Sequence, residues 1–193
     1  YDLIRAAHEG FDVLITGGYG GVGLMSAQWM ASRGARTIVV TGRSGQVPPR
    51  SQGAISLIEG FGAEVRVAAV DVSDREAMAA LLCQLRQEKP IRGIMHAAGV
   101  IADGPFTEID ADRVQRSFAA KVDGIANLVA GLDRLDGAWD ELGFLLLTSS
   151  MSGALGVSLQ GTYAAANTEL DGWAADLRAR GVQACAMQLG PIE

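Results

Sequence analysis

The chain has 193 residues, 49% of them apolar and 20% charged, with a formal net charge of −6; that length and balance suit one domain able to bury its own core. The acidic balance argues against the clustered basic footprint that a nucleic-acid partner requires. No apolar run reaches the length of a membrane span, and residues 1–13 lack the basic-then-apolar form of a secretory leader.

Taken in chain order, short β-rich runs alternate with longer helical patterns. The first strand is expected at 12–16 ("DVLIT"). The glycine-rich "TGGYGGVG" (16–23) follows it and opens a helix over 22–33. Gly17, Gly21 and Gly23 let the backbone turn tightly and approach a pyrophosphate, and the helix N-terminus supplies N–H donors. Gly18, Tyr19, Gly20 and Val22 complete this expected phosphate-binding loop.

The second strand is expected at 36–41. An NAD site usually carries a carboxylate just after it, but no Asp or Glu lies between Asp12 and Glu59. Arg43 stands there instead, and a guanidinium suits the 2′-phosphate of NADPH. A polar loop (42–53), a helix over 50–60 and a strand at 64–70 come next. Asp71 and Val72, just past that third strand, are expected to border the adenine.

After a helix over 74–88, the fourth strand (91–97) ends in "HAAG" (96–99), which places Ala97, Ala98 and Gly99 beside the nicotinamide ribose. A long helix is expected over 108–134, a fifth strand at 144–149, a helix over 161–180 and a sixth strand at 182–188. Strands nearly continuous in apolar residues fit burial on both faces. The alternation predicts an α/β fold: a Rossmann-type, doubly wound parallel sheet with helices on both faces and right-handed crossovers. Cys83 and Cys185 lie far apart in apolar stretches. They are read as buried thiols, neither a disulfide nor a metal pair, which points to the cytoplasm; no metal is expected. The ending "LGPIE", just past the sixth strand, suggests a single catalytic subdomain, 1–193, excised from or ordered within a longer chain.

The chemistry-bearing residues cluster late. Ser150 precedes Tyr163 by thirteen residues, a spacing known from reductase sites in which a lysine follows the tyrosine by four. Asn167 occupies that place. The only lysines are Lys89, in a loop-like "EKP" context, and Lys121, inside the apolar helical pattern "SFAAKVDGIANL". A lysine there needs a partner or a cleft. These motifs, with "TGGYGGVG", "HAAGV", "AKVDG", "YAAAN" and "LGP", resemble the catalytic half of a ketoreductase domain from a modular polyketide synthase. That family is a branch of the short-chain dehydrogenase/reductase superfamily.

The resemblance implies that the lysine and asparagine have exchanged places, so that Lys121 serves the site from a different helix. It also implies that Lys121 touches the nicotinamide ribose, and it brings Gly190 and Pro191 to the cofactor. Hydride addition to a ketone builds charge on oxygen, which a proton donor must quench. Tyr163 would be that donor, tuned by the Lys121 cation; Ser150 would hold the carbonyl oxygen, and Asn167 would position a relaying water. The implied substrate is a β-ketoacyl thioester on the phosphopantetheine arm of an acyl carrier protein, alongside other synthase domains, a preceding structural subdomain and a following lid.

In the same family, "Leu-Asp-Asp" after "HAAGV" marks one stereochemical class. Here that loop reads Ile101-Ala102-Asp103. Leu155 stands where the other class has tryptophan, and Ala165 where a subgroup of the first class has proline. The retained aspartate favours the B-type outcome, with Asp103 and Leu155 at the substrate entrance. Two alternatives stay open: a fatty-acid-synthase or free-standing reductase, and a non-catalytic NADP-binding scaffold.

Overall fold

A computed structural model describes residues 11–191; most of the opening segment weighed above as a leader (residues 1–10), and Ile192 and Glu193, lie outside that range. Six strands form one sheet: β1 (Phe11–Thr16), β2 (Ala35–Gly42), β3 (Glu64–Ala69), β4 (Ile91–His96), β5 (Phe144–Ser150) and β6 (Ala184–Leu189). All pairs are parallel and the order is β3-β2-β1-β4-β5-β6. The chain winds outward from β1 to β3, then returns to place β4 on the other side of β1. In open α/β sheets, ligands bind in the crevice that such a reversal opens at the carboxyl ends of the strands.

Helices cover both faces. On one side, α1 (Gly21–Ser32) and α2 (Gln52–Gly60) pack over Val13, Ile15, Ile38, Val40 and Met95. On the other, α3 (Arg75–Glu88) buries Met78, Leu81, Leu82 and Leu85, one stripe at helical spacing, against Leu14, Val39 and Ile94. The alternation of Val13 and Leu14, or Ile38 and Val39, between the two cores is the period of two expected of strands covered on both faces. The Asp74 carboxylate caps α3 by accepting from the Glu76 and Ala77 N–H groups.

The expectation of burial on both faces fails at the edges. β3 is half-exposed along its length and β6 buries only Ala184 fully. Among the described residues each has a strand neighbour on one side only, and Cys185 on β6 is exposed; Cys83, on α3, is half-buried, so the two are not both buried, and neither forms a disulfide.

The single helix expected over 108–134 is three pieces: α4 (Ala111–Phe118), a π-helical turn (Ala119–Asp123) and α5 (Gly124–Asp133). It starts later than expected because the Asp110 side chain accepts from the Arg113 N–H and so sets the N-terminus. Three short elements were not anticipated: a 3₁₀ turn at Phe106–Glu108, α6 (Ala138–Glu141) and α7 (Met151–Leu155). The last long helix, α8 (Gly161–Ala179), packs against β5 and β6.

Candidate active site

Two cavities meet at Gly99 above the carboxyl ends of the strands. The first holds about 600 Å³ and is lined by the β1–α1 loop, Lys121, Ser150 and Tyr163. The second holds about 400 Å³ and is lined by Gly17, Arg43, Asp71 and Val72 among others.

The glycine-rich loop fits a dinucleotide. Gly17 has φ +63°, and a Cβ there would fall 2.6 Å from the Ala98 Cα, so this turn requires glycine. Gly20, Gly21, Val22 and Gly23 line the first cavity at the start of α1, a position where backbone N–H groups suit a pyrophosphate. Gly18 and Tyr19 line neither cavity. The Tyr19 ring lies against Gly42 and its hydroxyl, without a partner among the described residues, is pushed up in pKa by burial.

In the second cavity Arg43 stands beside Thr41 and Gly42, at the end of β2. Desolvation pushes the Asp71 carboxyl up, but two hydrogen bonds from Ser73 and the Arg43 charge outweigh it and hold the carboxyl below its ordinary value. Asn127 donates to the Val72 carbonyl and fixes that strand end. Ala98 lines this cavity, Ala97 the first and Gly99 both; Gly190 and Pro191 line the first.

The three reactive groups arrive from three elements. Ser150 is the last residue of β5, and its Oγ accepts from the Ser152 N–H at 3.2 Å. Its own O–H has no acceptor among the described residues and can donate. Tyr163 sits in the first turn of α8. Lys121 comes from the π-helical turn, only 3% exposed. Its Nζ donates to the Thr148 carbonyl at 2.7 Å and lies 5.4 Å from the Tyr163 ring centroid. Burial pulls the Lys121 pKa down to about 8, against an opposing pull from the Asp171 charge.

Asn167 is fully buried one turn after Tyr163 and lines neither cavity. Its Nδ2 donates to the Tyr163 carbonyl, while its buried Oδ1 has no partner among the described residues. Asp103 accepts from Gln160 at 2.8 Å, and Gln160 lines the first cavity with Ile101 and Val157. Leu155, 74% exposed, lies outside that lining. Lys89, at the end of α3, is exposed and remote from both cavities.

Sequence reasoning missed Gln160, Thr148 and, at the second cavity, Arg116 and Ser73. Gln160 had a signal in its position three residues before Tyr163. Arg116, paired with Asp112, had none short of the tertiary fold.

Comparison with known proteins agrees with this geometry. The family model of the KR domain matches residues 12–193. The low-reducing polyketide synthase drtA of Aspergillus calidoustus is 39% identical over 180 residues, covering 93% of this chain and 7% of that protein. Erythronolide synthase EryA2 of Saccharopolyspora erythraea is 41% identical over 179 residues, covering 92% and 5%. The chain thus spans a small fraction of these relatives. Among solved structures, the ketoreductase PlmKR1 from the first module of phoslactomycin biosynthesis in Streptomyces sp. HK803 superposes with a TM-score of 0.84 at 37% identity. That match covers 94% of this chain and 42% of that one. With the matching family model, the fold and the relatives in agreement, the chain belongs to the KR domains of polyketide synthases, ketoreductases of the short-chain dehydrogenase/reductase superfamily.

Proposed function

We propose that this domain uses NADPH to reduce the β-keto group of an acyl thioester carried on the phosphopantetheine arm of an acyl carrier protein. It works within a longer synthase in the cytoplasm. The observation that carries this reading is the convergence of Ser150, Tyr163 and Lys121 on the cavity that the glycine-rich loop also lines.

NADPH, when bound, supplies the hydride. The chain's own groups do the rest. The free O–H of Ser150 donates to the ketone oxygen and holds it. As the carbonyl carbon gains hydride and its C=O π bond breaks, the Tyr163 phenol delivers a proton to that oxygen. The Lys121 ammonium favours the phenolate left behind and has two protons free beyond the one given to Thr148. Asn167, buried one turn along α8 and outside both cavities, would act on the proton return only through a water buried behind Tyr163, held by its Oδ1.

Monitoring NADPH absorbance with a short β-ketoacyl thioester, in the parent polypeptide, tests this directly. Cofactor binding without reduction would instead favour a non-catalytic scaffold. NADPH is preferred over NADH because Arg43 occupies the place of the usual ribose-binding acid. Arg43→Ala is therefore expected to weaken NADPH binding about tenfold or more and to leave NADH nearly unchanged. Equal losses would remove the assignment.

The hydroxyl formed is expected to be B-type, D-configured. Asp103 ties its loop to Gln160, and Gly104 donates to the Leu159 carbonyl, so the 101–104 loop forms one fixed wall of the entrance. Chiral chromatography of the reduced thioester checks this, and a mainly L-configured product would show that Asp103 does not set the entry side.

A further inference from the structure

The imidazole of His96 is completely buried at the end of β4, between the cofactor loop and the π-helical turn, and the mechanism above leaves it unused. Its Nε2 lies 2.9 Å from the Lys121 carbonyl oxygen and its Nδ1 lies 2.7 Å from the Thr16 Oγ1. A carbonyl only accepts, so Nε2 carries the hydrogen. Nδ1 then accepts from the Thr16 hydroxyl, which fixes the neutral Nε2–H tautomer. Burial, the largest influence, drives the His96 pKa down to about 4 despite the Lys121 carbonyl, so the ring stays neutral at working pH.

The surroundings are built to this ring. A Cβ on Gly124, the first residue of α5, would fall 2.6 Å from the His96 Cε1, so only glycine lets the helix approach so closely. The His96 carbonyl accepts from the Thr148 hydroxyl, and the Thr148 carbonyl accepts from the Lys121 ammonium. Lys121 is thus held at both ends, its carbonyl by the His96 ring and its Nζ by Thr148. A π-helical turn is a costly irregularity in a helix and persists where the surroundings enforce it.

We propose that His96 is a positioning residue for ketoreduction: its Nε2–H clamps the Lys121 carbonyl, holds the π-helical turn in register and so sets where the Lys121 ammonium stands beside Tyr163. Through Thr16, the residue before Gly17, the same ring joins the lysine to the cofactor loop. This inference rests on the reading that Lys121 serves Tyr163.

Two measurements test it. Long-range ¹H–¹⁵N spectra of the neutral-pH protein report the tautomer directly. The signal that disappears in a His96→Gln variant identifies this ring among the other histidines. The expected signal is Nε2-protonated; an Nδ1-protonated or charged ring would overturn the clamp. In parallel, His96→Leu is expected to lower kcat about tenfold to a hundredfold, the scale of an ångström-sized misplacement, with the KM for NADPH within about twofold. Because a displaced ammonium favours the phenolate less, the pH limb of the reverse reaction should move upward. His96→Gln, whose amide N–H reaches the place of Nε2–H, should restore most of kcat and the profile. Equal losses in both variants, or an unmoved profile in His96→Leu, would overturn the proposal. Should Lys121→Ala be harmless, the underlying reading fails instead, whatever tautomer is found.

Discussion

Tyr163→Phe is expected to lower turnover by about 10²- to 10⁴-fold while leaving NADPH binding intact. The ring contributes to the wall of the active cavity and stands beside the Lys121 ammonium, and the substitution keeps both contacts. What it removes is the one phenolic proton that the mechanism delivers to the ketone oxygen. Ser150 can hold that oxygen, but its hydroxyl is a far weaker acid. Stopped-flow traces of NADPH consumption, paired with a fluorescence titration of cofactor binding, separate the two effects. Turnover within tenfold of the unmodified protein would show that another group gives the proton.

Lys121→Met is expected to lower turnover about a hundredfold or more and, at the same time, to stabilise the fold. The lysine is nearly fully buried and its pKa is depressed to about 8 from an ordinary value of 10.5. A depressed pKa in the folded state means that folding disfavours the charged form. The stability this group gives is present above about pH 10.5 and lost as pH falls through 8. At neutral pH the buried charge therefore destabilises the domain by up to about 3 kcal/mol. Methionine fills similar space without that charge, but leaves the Thr148 carbonyl without its donor, which offsets about 1–3 kcal/mol.

A modest gain in Tm at pH 7 is the expected balance. It should shrink as pH rises from 8 toward 10.5, where the unmodified lysine sheds its proton on folding. Thermal melts across that range check the sign: a gap that widens with pH would contradict it. Lys89→Ala, at the exposed end of α3, is expected to change neither quantity. A catalytic loss there would mean that the wrong lysine had been assigned.

Much of this site is legible in the chain because its signals are local. The glycines of "TGGYGGVG" sit between a strand and a helix, and the positive φ of Gly17 is what such a turn demands. The lack of acids from 13 to 58 singles out Arg43, and the structure places it at the second cavity with Asp71 and Val72. Lys121 stood out because a lone lysine in an apolar helix needs a reason.

Features set by neighbours distant in sequence were not legible. The π-helical turn is not legible because it spans only Ala119–Asp123, too few residues for the hydrophobic period to separate it from an α-helix. The exposure of Cys185 follows from β6 having no second strand neighbour among the described residues, which its apolar sequence does not reveal. Tyr19, expected to touch cofactor, packs on Gly42 because the loop turns its ring toward β2. Asn167 was placed one turn from Tyr163 by spacing alone, but its burial outside both cavities follows from the packing of α8 on β5, including the bond from Ser149 to its carbonyl.

The strand order has a consequence for how the domain comes into being. β1 pairs with β2, and its other edge waits for β4, so Thr16 meets His96 across 80 positions of chain. Gly17 turns against Ala98, a contact of similar reach. On a ribosome adding about 5–20 residues per second, the strand that seats the cofactor loop emerges roughly 4–16 s after the loop itself. Until then Leu14 and Val39, on the other face of the first two strands, lack Ile94 and the later residues of their core, and such non-local pairing is slow to form. The nascent chain therefore gains its nucleotide cradle late and in one step, when β4 slots between β1 and the still-arriving β5, and the lysine, serine and tyrosine follow it in order of synthesis.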